Sequence, residues 1–382
     1  MKYKKIIKIT LLLTSMMTMM AGAVIAPSLP QISRVFSEIE NIALLSRLVI
    51  TLPALFIAFF SPIFGNVSDR IGRKNILLIS LLVYAIGGAS GYYLNNIYLI
   101  LAGRALLGIS VGGIMTMVIT LIGDYYSDNE RNSFMGLQGA FMAIGGIVFI
   151  SFSGLLADIQ WQLPFLIYLF AIPVFILGVI YLFEPKVINH EKTNNRSIDY
   201  DRKLVYIINL LAFIGIVFFY MIPVQLPFLL SGFEHISNLK IGIAIGFQSL
   251  SSAIISLNYR KIKEKFTFRQ IFQIAFLLMG IGFLVISYSD TYLLVLLGLA
   301  ISGLGTGLLM PSGSLWILNI SPEKIRGKLI GRISMSLYLG QFFSPILLQP
   351  LISQFDVGFS FLIVSISLGI ISVILFALKT SE

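Results

Sequence analysis

Four ionisable side chains, Asp69, Arg70, Arg73 and Lys74, crowd into the short stretch GNVSDRIGRKN (65–75) between two long apolar runs. A carboxylate among three cations suits a charge-assisted hydrogen-bond network better than bond-breaking chemistry. A further cation, Arg104, stands alone inside the apolar run LAGRALLGISVGG (101–113). Further polar groups are scattered singly through other apolar runs: Gln138, Asn209, Tyr220, Gln225, Gln248, Trp316 and Gln341. The usual catalytic sets are missing. There is no cysteine, and the two histidines, His190 and His235, fall in polar connectors, so no metal site or thiol chemistry is expected. No Ser/His/Asp set and no G-x-x-x-x-G-K-S/T loop is present, which argues against an enzyme and against ATP-driven work by this chain.

The surroundings decide what those residues can do. Of 382 residues, 57% are hydrophobic and 12% charged, with a mean hydropathy of +0.93; a water-soluble domain carries ~25% charged residues. The surface is therefore expected to face lipid. A bilayer core takes roughly 20 apolar residues per helix. Such runs lie near 6–29, 43–64, 76–94, 98–122, 133–157 and 162–183, then near 204–230, 240–258, 270–288, 291–318, 328–352 and 356–378. All twelve are expected to be helices, because an open strand leaves its backbone unsatisfied in lipid. The first run has a basic start and an Ala21-Gly22-Ala23 segment like a leader-cleavage site. Its loss would unbalance the internal repeat described below, so retention is expected.

With the N-terminus inside, 23 of the 27 Lys and Arg residues fall on the cytoplasmic side, while Arg34 and Lys240 lie in outer loops and Arg47 and Arg104 within helices. That asymmetry predicts both termini in the cytoplasm. The net charge of +10 then records topology, and no nucleic-acid partner is expected. A composition rich in Ile, Lys and Asn points to a bacterial cytoplasmic membrane.

Shifted against itself by 195 residues, the chain pairs Gly103 with Gly298, Gly108 with Gly303, Gly112 with Gly307, Arg131 with Arg326 and Gly136 with Gly331. At the same shift Asp69-Arg70 falls on Glu264-Lys265 within RKIKEKFTFR. The predicted architecture is an all-α integral membrane protein. Its 12 transmembrane helices form two six-helix bundles, 1–183 and 204–382, around a central cavity, with a cytoplasmic linker over 184–203. Duplicated bundles can rock about a site between them.

These motifs resemble a known family. GNVSDRIGRKN is similar to the loop 2–3 signature of the major facilitator superfamily, roughly G-x-L-x-D-R-x-G-R/K-R/K. Gly65, Asp69, Arg70, Gly72, Arg73 and Lys74 match it, with Val67 at the usual Leu. LAGRALLG resembles the family's R-x-x-x-G stretch through Arg104 and Gly108, and APSLPQIS and SPEKIRGK also look like family features. The resemblance implies that residues 65–74 form a conformational latch. Asp69 would meet the start of helix 11 near Gly327 to Gly331, and Arg73 would pair with Asp124 at the foot of helix 4. It also implies a part in proton coupling for Arg104, as in related exporters. The other reading is an arginine bonded to backbone carbonyls that packs helices 1 and 4 together; a buried guanidinium costs at least ~2.5 kcal/mol unless it finds such company.

No carboxylate occupies the middle of any span, so Asp124 is the nearest candidate for a proton carrier. A cavity without acids suits a neutral or anionic amphipathic molecule, with Gln138, Tyr220, Gln225, Gln248, Trp316 and Gln341 as candidate lining residues, although helix packing is the commoner role for most such residues. The helix 5 exporter signature is degenerate, with Phe149-Ile150 where Gly-Pro is usual, yet the flanking GLLAD…W…PF resembles exporters. FEPKV after helix 6 lacks the sugar-porter P-E-S-P-R. The expectation is a monomeric, proton-linked exporter of a drug-like compound or metabolite that needs no cofactor. The alternative is an importer or facilitator without proton antiport.

Overall fold

The computed structural model describes residues 2–126, 128–185, 200–322 and 325–377, without the side chains at 2, 3, 69, 128, 129, 132, 133 and 136. Most of the linker expected at 184–203 thus lies outside the described residues. The chain divides into two compact units, Met1–Asn195 and Arg196–Glu382.

In the first unit, α1 (Lys2–Ala23) continues through a 3₁₀ turn (Ala26–Ser28) into α2 (Leu29–Val35). Then come α3 (Ile42–Ile71), α4 (Arg73–Tyr93), α5 (Ile97–Tyr125), α6 (Asp128–Ile159) and a 3₁₀ segment (Leu163–Phe170) leading into α7 (Ala171–Tyr181). The second unit comprises α8 (Arg202–Phe219), α9 (Met221–Leu230), α10 (Asn238–Leu257), the short α11 (Tyr259–Lys263), α12 (Phe268–Ser287), α13 (Tyr292–Ile320), α14 (Arg326–Gln354) and α15 (Val357–Ala377). Twelve of these helices, counting α1–α2, the 3₁₀ segment with α7, and α8–α9 as one span each, are long and apolar enough to cross a membrane. Among the described residues there is no strand. The protein is an all-α membrane protein of two six-span halves.

The first and seventh spans break near prolines, Pro27 and Pro30 in one and Pro223 in the other, because a proline nitrogen cannot close the helix ladder. In lipid the disturbed carbonyls need other donors. The Ser153 hydroxyl on α6 donates to the Val24 carbonyl at the first break. Ser344 on α14 donates to the Val217 carbonyl, at 2.6 Å, beside the second. A serine on the fifth span of each half thus serves the first span of that half.

Several close helix approaches follow the 195-residue repeat. On α5, a Cβ added to Gly108 would stand 2.3 Å from the Pro53 carbonyl oxygen of α3, and on α13 one added to Gly303 would stand 2.6 Å from the Gln248 carbonyl of α10. Pro53 and Gln248 are themselves 195 apart. A second pair of crossings obeys the same rule: Gly87 lies against the Gly103 carbonyl and Gly282 against the Gly298 carbonyl, with room for no side chain at either. Small residues let backbones meet where no hydrophobic drive separates helix from lipid. Gly108→Ala and Gly303→Ala are each expected to cost about 1–3 kcal/mol by overpacking. Gly123→Ala, which meets nothing within 4 Å, is expected to be neutral or mildly stabilising. Thermal unfolding of detergent-purified variants separates them, and equal melting temperatures for the three would remove the close-approach argument.

Candidate functional site

The charged signature is less a loop than a helix junction. Helix α3 runs to Ile71 and α4 starts at Arg73, so Gly72 alone makes the turn, at φ +96° and ψ 145°. That backbone region is open to glycine and strained for other residues. A Cβ on Gly72 would also lie 2.8 Å from the Glu184 carboxylate.

Glu184 sits there because the first amides of α4 have no partner within their own helix. Its two oxygens accept from the Arg73 amide, at 2.5 Å, and the Lys74 amide, at 2.9 Å. A carboxylate at that end also opposes the positive pole of the helix dipole. The Arg73 guanidinium reaches the other way, into an ion pair with Asp124 near the end of α5. Lys74 Nζ donates to the Val179 carbonyl in the last turn of α7, at 3.0 Å. Tyr125 closes the cluster: its hydroxyl donates to the Phe183 carbonyl and accepts from the Phe183 amide, and the two rings stack 4.4 Å apart. The junction is thus tied to the foot of α5 and the end of α7.

Of the sequence-derived latch residues, Arg73, Lys74, Gly72 and Asp124 come together here. Arg70 is exposed, and the Asp69 side chain lies outside the described residues. Gly65 stands inside α3, where an added Cβ would find its nearest neighbour, Thr116, at 3.8 Å. Glu184 went unrecognised at the sequence level. The signal available for it in FEPKV is an acid just past an apolar run.

Arg104 is fully buried on α5. Its Nη2 donates to the carbonyls of Gly87, at 3.2 Å, and Gly88, at 2.5 Å, on α4. The guanidinium lies 5.0 Å from the ring centre of Phe165 and 4.7 Å from that of Tyr168, both on the 3₁₀ segment. Cation–π contact of this kind strengthens where water is excluded. The rings fit because Gly88 and Gly91 leave a trough in α4: a Cβ on either would fall within 2.3 Å of Tyr168 or Phe165. Tyr84 donates to the Met17 carbonyl, at 2.8 Å, and Tyr168 to the Met20 carbonyl, at 3.4 Å, which joins α1 to the node. Arg104 therefore has the carbonyl-bonded geometry, but its carbonyls belong to the third span, where the packing reading expected it to join the first and fourth. Gly108, one turn along α5, faces the α3 backbone.

Gln138 on α6 is buried in the first unit, while Gln225, Gln248, Trp316 and Gln341 are buried and Tyr220 half-buried in the second. Neither unit assembles the whole set. Trp316 is absorbed in packing, stacked on Phe268 at 5.7 Å and near Phe272 at 5.8 Å. Asn209 accepts from the Ser336 hydroxyl at 3.1 Å. No three metal-ligating side chains converge among the described residues.

Twelve apolar helices in two halves, with a charged junction after the second, define a membrane transporter fold. The sequence profile of the Major Facilitator Superfamily matches residues 11–232 and 208–382, and the chain belongs to that family of transporters, which are not enzymes. The class D tetracycline resistance protein of Salmonella ordonez is 29% identical over 185 residues, 47% of this chain and 46% of that one. The bacillibactin exporter of Bacillus subtilis strain 168 is 32% identical over 153 residues, 38% and 37% of the two chains. The chain thus matches less than half the length of these relatives. A D-xylose-proton symporter of known structure shares the fold, with a TM-score of 0.79 and 16% identity over 99% of this chain and 98% of that one.

Two substitutions test the geometry. Glu184→Gln is expected to lower stability by about 1 kcal/mol or less, because the carboxylate is largely exposed and solvent screens it; a melting temperature above wild type would contradict the cap. Arg104→Ala is expected to cost on the order of 3 kcal/mol by emptying a large buried site. A normal melting curve for Arg104→Ala alongside lost transport would instead place Arg104 in the working cycle.

Proposed function

We propose that this chain is a secondary transporter that works by alternating access, exporting a small amphipathic drug-like compound or metabolite in exchange for protons. It acts as a monomer in a bacterial cytoplasmic membrane with both termini in the cytoplasm. The observation that carries this reading is the junction cluster of Gly72, Arg73, Lys74, Asp124 and Glu184. A latch that breaks on every cycle needs a base that stays put, and these contacts tie the α4 side of the signature to α5 and α7 within one unit. Arg70, near the end of α3, is exposed, and the latch would extend to Asp69 beside it, which would meet the start of α14 when the latch closes. Arg104 with Gly108 would sit beside the coupling route, and the cargo would meet Gln138, Tyr220, Gln225, Gln248 and Gln341. Export is favoured by the tetracycline resistance and bacillibactin exporter names among the relatives.

One observation favours a second reading, a facilitator or importer without proton antiport. Among the described residues, the acids within the spans are Asp124 and Asp158, and each stands within two residues of a span end. A membrane-embedded proton carrier would ordinarily lie deeper.

Energised inverted vesicles carrying an internal pH dye distinguish the two. Proton release on adding lipophilic compounds, seen only when the protein is present, is the expected outcome. Asp69→Asn should reduce that release at least ~10-fold, a loss of ~1.4 kcal/mol, while expression and ligand binding stay near wild type. Normal release by Asp69→Asn would remove the latch. Uptake or loss of a labelled compound with no proton movement would establish the facilitator.

A further inference from the structure

A cleft of about 630 Å3 opens in the second unit between the N-terminal parts of α8 and α14. Its mouth is cationic: Arg202 on α8 and Lys328 and Arg332 on α14 line it, and no carboxylate does so among the described residues. Tyr200 stands between the two arginines. The Arg202 guanidinium lies 5.9 Å from the Tyr200 ring centre, and Arg332 Nη1 donates to its hydroxyl at 3.5 Å.

Asp201, next to Arg202 in the chain, is already engaged, its Oδ1 accepting from the Leu204 amide at 2.9 Å as the cap of α8. At the N-cap position of α14, Ile325 offers no acceptor, so among the described residues the positive end of this 29-residue helix adds to the three cations.

Polarity falls with depth. Lys328, Arg332, Met335 and Leu339 recur at three- and four-residue spacing, so they form one face of α14 that spans about 16 Å at 1.5 Å per residue. Charge occupies the outer end. The middle is polar but satisfied internally, with Asn209 bonded to Ser336 and to the Val205 carbonyl at 2.7 Å. Val205, Met335 and Leu339 make the inner walls.

A soluble anion would use the mouth and leave those walls in contact with water. An amphiphile uses both, and the amphiphile that always surrounds a membrane-spanning chain is lipid. Basic pockets between transmembrane helices hold anionic headgroups, and the arginine fork matches phosphate oxygens in a bidentate way. We propose that this cleft binds an anionic phospholipid, its phosphate held by Arg202, Lys328 and Arg332 and the upper part of one acyl chain lying along Val205, Met335 and Leu339. The site is independent of the direction and coupling of transport and is tested without either.

The full chain, purified in an uncharged detergent, is titrated with dioleoyl phosphatidylglycerol, dioleoyl phosphatidylcholine, dodecanoate and inorganic phosphate, with bound lipid counted by native mass spectrometry. Phosphatidylglycerol is expected to bind most tightly. Lys328→Gln/Arg332→Gln should weaken it on the order of 30-fold, at ~1 kcal/mol per cation removed. Lys261→Gln/Lys265→Gln removes the same charge from the α11 connector and should leave binding within about 2-fold. All four substituted residues are exposed, so unliganded melting should stay near wild type. If Lys328→Gln/Arg332→Gln nevertheless melts early, Arg202→Gln, on the other wall, carries the same expectation at about 5-fold. Equal binding of phosphatidylcholine, or equal losses from the cleft and connector variants, would overturn the site. Tighter binding of dodecanoate or inorganic phosphate would overturn the phospholipid as its occupant.

Discussion

Lipid offers a protein no hydrogen bonds, and most of this structure follows from that single lack. Every backbone group inside the bilayer must find its partner in the chain, so the spans are helices. Where proline interrupts the first and seventh spans, serines on the fifth and eleventh supply a donor. Side-chain hydroxyls obey the same constraint: Thr10, Thr14 and Ser15 of α1 each donate back to a carbonyl four residues earlier. The constraint also explains why Arg104 is tolerable. It lies where two carbonyls and two aromatic faces replace water, in a trough that exists because α4 carries glycine at 88 and 91.

Without a hydrophobic drive between helices, association depends on how closely backbones approach, and this chain solves the problem twice in the same way. The Gly108–Pro53 and Gly303–Gln248 contacts, and the Gly87–Gly103 and Gly282–Gly298 contacts, repeat at one shift of 195 residues. Duplication accounts for the skeleton of each half. The polar features laid over it are duplicated only in part. Position 299, the counterpart of Arg104, is Leu, and the second half's charged connector reads Glu264-Lys265 where the first has Asp69-Arg70. The first half carries the buried guanidinium and the tied junction, and the second carries the cationic cleft. Sequence freed from packing duty has diverged, and the divergence marks where each half acquired its own chemistry.

That distinction also governs what the sequence revealed. The twelve spans were legible because hydropathy over roughly 20 residues is a local property. The charged junction was legible from the order of six residues, and the repeat from a few glycines and charged positions. Glu184 was not, because its partners lie 110 and 111 residues away and no periodicity links them. The Arg104 node needed Gly88, Gly91, Phe165 and Tyr168 from two other spans, none conspicuous alone. Trp316 read as a cavity candidate because a lone tryptophan in a span invites that reading, whereas Phe268 and Phe272 on another helix claim its ring. Local composition shows which residues are unusual; only the fold shows which neighbours explain them.

The junction shows how far that explanation reaches. Arg73 and Lys74 are committed within their own half, the first to Asp124 and the amide cap, the second to the Val179 carbonyl. Gly72 lets α4 turn away from α3 without a side chain that would displace Glu184. The α4 side of the signature is therefore anchored, and a moving part cannot be built from groups already fixed to the same rigid bundle. Arg70 on the α3 side is exposed and engaged by none of these contacts. Around Gly72 the motif thus has two sides: Arg73 and Lys74 after it hold the turn in place, and Arg70 before it is exposed. A latch needs both, because a contact that must form and break repeatedly transmits force only if its base does not move.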